Sequence, residues 1–189
     1  MMNTQHNIQK PLMIVGIITL ILLMVPLIAM QFTTEVNWSI SDFIIMAALI
    51  FGTGSAYVLI SRLVNNGIYK LATAVSLGTV FFMIWSNLAV GLIGAGPHAG
   101  NLLYIAVIAV FITGSFITRF SAHGMERTMY ATAGALVLHT VIALLADMDE
   151  YPAASINEIF SVNGFFASLF AIAGLLFRLA SKTKRTANS

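Results

Sequence analysis

Several side chains that can form hydrogen bonds or carry charge fall inside long apolar stretches of this sequence. The candidates are Asp42, Trp85, Asn87, His139 and Asn163. A polar side chain surrounded by hydrocarbon is costly unless it has a partner, so these residues are expected to face protein or water. Together they predict a polar cavity that opens to the outer side of a membrane and admits an ion or a small molecule.

The same residues also have a structural interpretation. Asn side chains in membrane helices often bridge neighbouring helices, which would make Asn87 and Asn163 clamps. Asp42 follows Ser39 and suits the first turn of a helix, where an acid interacts favourably with the helix dipole. Trp85 fits an anchor at the membrane interface. We expect Asn87 to contact the outer half of another helix, through Asn163, Asp42 or a water molecule.

His139 is the only histidine within an apolar segment. It could carry a proton or ligate a cofactor, or it could simply bond to a neighbouring helix. A haem with two axial histidines needs a second membrane histidine. His6 and His123 fall on the inner side and His98 in an outer loop, so the four cannot converge. The sequence therefore predicts no cofactor and no metal site made of histidines.

Four acids near one connecting segment form a second, weaker candidate site. They are Asp147, Asp149, Glu150 and Glu158. Clusters of carboxylate oxygens suit hard cations such as Ca²⁺ or Mg²⁺. The spacing does not match an EF-hand, and a solvated acidic loop explains the same residues.

Six apolar segments of about 20 residues, long enough to cross a bilayer, must position these side chains. They span residues 11–30, 39–64, 68–93, 102–120, 125–146 and 156–179. Short links make successive helices antiparallel neighbours. The predicted fold is all-α, a single integral membrane domain over residues 1–189 built as a bundle of six transmembrane helices. The tail at 181–189 is expected to be flexible, and Gly54, Gly114 and Gly134 to allow close helix packing.

Charge is distributed unevenly between the connecting segments. All nine Lys and Arg residues fall on one predicted side of the membrane, and every acid except Glu126 falls on the other. Because Lys and Arg resist translocation, this asymmetry places both termini in the cytoplasm of a bacterial inner membrane.

Composition narrows the class of protein. The chain is 59% hydrophobic and 8% charged, with a mean hydropathy of +0.92, whereas a soluble domain carries about 25% charged residues. The lipid bilayer is thus a predicted partner, and a homo-oligomer is possible. Dispersed basic residues give no nucleic-acid patch. No nucleophile elbow, zinc-protease motif or phosphate-binding loop is present, so an enzyme is the less favoured class.

One stretch resembles a family of small uncharacterised bacterial inner-membrane proteins with several membrane spans. Its residues are Trp85-Ser86-Asn87-Leu88-Ala89-Val90-Gly91-Leu92-Ile93-Gly94, followed by Asn101-Leu102-Leu103-Tyr104. The family usually carries acids in the loop between these motifs, where this chain has Gly96, Pro97 and His98. The resemblance implies a membrane protein and draws attention to Trp85 and Asn87, but it implies no activity.

Two classes of function remain open on the sequence. One is a transporter, or a binder of an ion or small molecule, with an outward-facing polar cavity. The other is a non-catalytic structural or accessory membrane protein that acts through helix packing or oligomerisation. A wet cavity with Asn87 and His139 on its wall favours the first, and a dry, closely packed interior favours the second.

Overall fold

The computed structural model describes residues 8–94 and 98–186, and every regular element in these ranges is helical. The helices are α1 (Gln9–Phe32), α2 (Ile40–Ile60), α3 (Gly67–Ala89), α4 (Ala99–Leu102), α5 (Tyr104–Ile117), α6 (Ala122–Leu145) and α7 (Ile156–Thr186), with a 3₁₀ turn at Met148–Glu150. Over the described residues six helical segments are long and apolar enough to cross a membrane, with most of α4 and α5 counting as one. The prediction of an all-α fold with six spans is confirmed.

Two predicted boundaries differ from the structure. The fourth segment begins earlier than residue 102, as the short helix α4, which is separated from α5 by Leu103. The last helix continues to Thr186, so residues 181–186 of the predicted tail are helical. Residues 187–189 lie outside the described part of the chain.

The chain divides into two compact units, and the division falls after Arg62. The sequence had predicted a single domain. The first unit contains α1 packed on α2. A Cβ atom on Gly54 would lie 2.7 Å from Cγ1 of Val15, so this glycine allows the close approach that was expected of it. Ser39 and Asp42 form a capping box at the start of α2, in which each side chain accepts a hydrogen bond from the other residue's backbone N–H.

In the second unit the helices pack in the order α3, α7, α6, α5. Buried aromatic side chains, including Tyr69, Phe166, Phe170 and Phe177, fill the interior along α7. Successive helices were expected to be neighbours, but α3 and α5 stand at the two ends of this order. Their connection folds back on itself instead of bringing the two helices together along their length.

Close packing in the second unit depends on one of the two predicted glycines. A Cβ atom on Gly114 would lie 2.7 Å from Cγ2 of Thr128, so α5 approaches α6 at this glycine. Gly134 is exposed, and a Cβ atom there would meet nothing within 4 Å among the described residues. The expectation of close packing at Gly134 is therefore wrong.

At the end where α3 begins and α5 ends, one hydrogen bond joins α3 to the turn that follows α5. Arg119 and Phe120 both have positive φ, at 50° and 55°, a conformation that is uncommon outside glycine. The turn places the carbonyl of Phe120 where the hydroxyl of Tyr69 donates to it at 2.6 Å. Nearby, Oε1 of Glu126 lies 3.8 Å from Nε of Arg178. The one acid that breaks the charge asymmetry therefore has a cationic partner.

A candidate cleft beside a buried polar network

The segment that follows α3 folds back through a set of hydrogen bonds made by one side chain. Oδ1 of Asn101 accepts from the backbone N–H groups of Leu92 and Ile93, each at 2.9 Å, and its Nδ2 donates to the carbonyl of Ile93 at 3.2 Å. Gly91 and Gly94 supply positive φ angles of 80° and 65°, which glycine adopts without strain. Asn101 thus satisfies backbone groups that the end of α3 would otherwise leave buried and unpaired.

Asn87 joins the last turn of α3 to the same segment. Its Nδ2 donates to the carbonyl of Asn101 at 2.9 Å. The predicted partners were Asn163, Asp42 or a water molecule, and the observed partner is a backbone carbonyl of α4. Neither Asn163 nor Asp42 is its partner, because the returning segment brings its own carbonyl close to α3. Oδ1 of Asn87 has no hydrogen-bond partner among the described residues.

A cleft of about 670 Å³ lies between the end of α3 and the start of α5. Its polar lining comes from Asn87, His98 and Asn101, all close to the connecting segment. The remaining lining is apolar and includes Ile84, Leu88, Val90, Leu102, Ile105 and Ile108. None of the described residues that line it is Asp, Glu, Lys or Arg. The cleft is therefore polar at the end of the helices and aliphatic toward their middle.

His139 and Asn163 lie deeper, in a polar network with Tyr104 and Thr140 that joins α5, α6 and α7. The hydroxyl of Tyr104 donates to Oδ1 of Asn163 at 2.7 Å. Nδ2 of Asn163 donates to Nδ1 of His139 at 3.2 Å and to Oγ1 of Thr140 at 2.9 Å. Asn163 is 2% exposed and His139 is 4% exposed, so the network is an interior clamp.

The partners of His139 specify where its proton lies. Nδ1 faces an N–H of Asn163 and must accept, while Nε2 faces the carbonyl of Gly100 at 3.4 Å and must donate. This assignment follows from the orientation of the Asn163 amide, which Tyr104 fixes by donating to its oxygen. The network is complete with a single proton on the imidazole, at Nε2.

Two loops cover this end of the second unit. The rings of His98 and Tyr151 stack with their centroids 4.7 Å apart. A Cβ atom on Gly94 would lie 2.9 Å from the carbonyl oxygen of Pro152, and one on Gly100 would lie 2.7 Å from Sδ of Met148. These glycines let the segment after α3 pack directly against the segment before α7.

The five residues predicted to share a polar cavity have different surroundings. Asn87 lines the cleft, while Asn163 and His139 bond to each other inside the bundle. Trp85 is 40% exposed, with its ring 5.8 Å from that of Phe82, and it does not line the cleft. Asp42 belongs to the first unit, where its carboxylate accepts from the backbone N–H and the hydroxyl of Ser39.

Hydroxyl groups along α3 and α6 are also satisfied locally. Those of Thr73, Thr79 and Thr132 donate to carbonyls four residues earlier in their own helices, and that of Ser76 to one three residues earlier. These side chains therefore do not provide a wet wall along the helices.

The four acids of the predicted cation site lie in the turn before α7 and in the first turn of α7. Asp147 and Glu150 are exposed, and Asp149 and Glu158 are half-buried. Within the described ranges no three His, Cys, Asp or Glu side chains come close enough to hold a metal ion. The acidic segment is a turn in which Met148 is buried. The side chain of Met148 packs against Gly100 in the neighbouring segment.

Two residues that prove important, Asn101 and Tyr104, were not predicted as site residues from the sequence. Asn101 and Tyr104 both belong to the quoted motif, as do Asn87, Gly91 and Gly94. In the structure these five residues build the cleft, the returning segment and one corner of the polar network.

No family model, curated protein or solved structure matches the chain. The structure defines a helical protein of multi-pass membrane type, and its resemblance to a bacterial family remains a prediction.

Proposed function

We propose that this membrane protein binds an amphipathic small molecule from the bilayer in the cleft between α3 and α5. The observation that carries the proposal is the gradient along the cleft, from Asn87 and Asn101 at one end to Ile84, Ile105 and Ile108 further in. A molecule with a polar head and an aliphatic tail matches that gradient and the orientation that lipids have in a membrane. The volume, about 670 Å³, falls within the roughly 300–1,000 Å³ range of ligand sites.

The polar network gives the cleft a fixed wall. Gly100 accepts from His139, and the neighbouring Asn101 accepts from Asn87 and holds the end of α3. A site whose walls are held before binding loses less entropy when it is occupied. In this proposal His139 and Asn163 support the site and do not touch the ligand.

Thermal unfolding in detergent tests the proposal. A ligand that binds only the folded protein raises its melting temperature, so long-chain amphiphiles should stabilise the wild type. Ile105→Trp fills the cleft with an indole and should abolish this shift. Ile112→Trp places the same side chain two turns further along α5, outside the cleft, and should preserve it. Equal shifts for the two variants would refute the cleft as the binding site.

The accessory role has one observation in its favour, which is that the buried polar network forms its hydrogen bonds within the protein. Asn163 and His139 have protein partners on both polar sides of their side chains. A protein that acts only through packing or oligomerisation needs nothing more. This alternative predicts that no amphiphile stabilises the wild type and that Ile105→Trp is as functional as Ile112→Trp.

A further inference from the structure

We infer that the cleft selects a neutral lipid whose head group presents a hydroxyl donor. The inference rests on the proposed function and names the class of ligand for the same site. Among the described lining residues there is no Asp or Glu to pair with an ammonium head and no Lys or Arg to pair with a carboxylate or phosphate. The one titratable side chain, His98, has its ring stacked on that of Tyr151. A charged head would lose hydration at this end without gaining an ionic partner.

The hydrogen-bonding group that Asn87 leaves available in the cleft is an acceptor. Nδ2 of Asn87 is held by the carbonyl of Asn101 at 2.9 Å, which fixes the amide plane. Oδ1 of the same amide has no protein partner in the described part of the chain and belongs to a residue that lines the cleft. An unpaired amide oxygen beside an apolar cleft gains a hydrogen bond from a hydroxyl, which is a donor, but not from an ester or ether oxygen.

This acceptor lies at the polar end of the cleft. Asn87 lies in the last turn of α3, whereas Ile84, Ile105 and Ile108 extend the cleft toward the middle of the helices. A hydroxyl bonded to Asn87 therefore stays near the end of the helices while the tail follows the aliphatic wall. Long-chain alcohols, acylglycerols and quinols share this chemistry.

Three matched photoreactive probes test the inference with the full-length protein in phosphatidylcholine nanodiscs. One is a diazirine-bearing long-chain alcohol, the second is its methyl ether, and the third is the carboxylate of equal chain length. Labelling of the peptides that contain Ile84 to Val90 and Leu102 to Ile108 is measured against probe concentration. We expect the alcohol to label with an apparent Kd about fivefold lower than the ether, as one hydrogen bond predicts. The carboxylate should label most weakly.

Two variants connect this difference to Asn87. Asn87→Leu should make the alcohol and the ether label equally, at the ether's Kd. Thr113→Leu, an exposed position on α5 outside the cleft, should retain the fivefold difference. The comparison of alcohol with ether in the wild type needs no substitution, so a folding defect in Asn87→Leu cannot hide the answer.

The possible outcomes separate the two proposals. Equal labelling by alcohol and ether in the wild type, or tightest labelling by the carboxylate, overturns the inferred ligand class and leaves the cleft as a binding site. Unsaturable labelling by every probe, or labelling of Ile105→Trp as strong as that of the wild type, overturns the proposed function and the inference with it.

Discussion

Asn163 joins three helices through a single amide group. It accepts from Tyr104 on α5 and donates to His139 and Thr140 on α6, so its replacement leaves several buried groups without partners. Interhelical hydrogen bonds in membranes contribute modestly, but unpaired polar groups left behind add to the loss.

Asn163→Leu is expected to lower the free energy of unfolding by about 2 kcal/mol, because the hydroxyl of Tyr104 and Nδ1 of His139 lose their partner. Reversible unfolding in mixed micelles measures the change. The hydroxyl of Thr113 is exposed and donates only to carbonyls of its own helix. Thr113→Val should therefore lower the free energy of unfolding by less than about 0.5 kcal/mol. A silent Asn163→Leu would show that the network does not clamp the helices.

The same network predicts the state of His139. Nitrogen-15 NMR of histidine-labelled protein at neutral pH should show a proton on Nε2 and none on Nδ1, because Nδ1 accepts from Asn163. A protonated Nδ1 would contradict the observed orientation of the Asn163 amide. His98 and His123, which lie at the two ends of the second unit, serve as internal references in the same spectrum.

Among the elements, the short helix α4 connects the cleft to the network. In this four-residue helix the backbone carbonyl of Gly100 accepts a hydrogen bond from His139. The carbonyl of the next residue, Asn101, accepts one from Asn87. Apolar length and charge were enough to predict the six spans, and Ser39 with Asp42 marked the start of α2.

The return of α4 could not be predicted in the same way. Residues 102–112 are almost uniformly apolar, so nothing in their pattern marks the break between α4 and α5 at Leu103. The partners of Asn101 are backbone groups, which have no sequence signature. Hydropathy also does not specify which helices pack together, and α7 lies between α3 and α6 because its buried aromatic side chains fill that space.

Packing between α5 and α6 gives a prediction with a matched control. Gly114→Ala should destabilise the protein by about 1–3 kcal/mol, because the new methyl group would collide with Thr128. Gly134→Ala places the same group in open space on α6 and should be neutral or stabilise by up to about 1 kcal/mol. Melting temperatures of the two variants in one detergent make the comparison. If both variants lowered the melting temperature equally, the contact between Gly114 and Thr128 would not be what limits the packing of α5 on α6.

For the whole molecule, the charge asymmetry leads us to propose that both termini are cytoplasmic. The chain has no cysteine, so single cysteines can be introduced without a background. In intact cells Ala153→Cys should react with a membrane-impermeant thiol reagent, and Asn65→Cys should react only after the cells are opened. Both positions are in exposed connecting segments, so accessibility within the fold is matched. The reverse pattern would invert the topology.

The central claim is that the cleft between α3 and α5 holds an amphiphile from the membrane. Its most direct test is the amount of lipid-like small molecule that mass spectrometry finds bound to protein purified from native membranes. We predict about one molecule per chain for the wild type and for Ile112→Trp, and a clear loss for Ile105→Trp. If Ile105→Trp retained as much of the same molecule as the wild type, the cleft would not be its site.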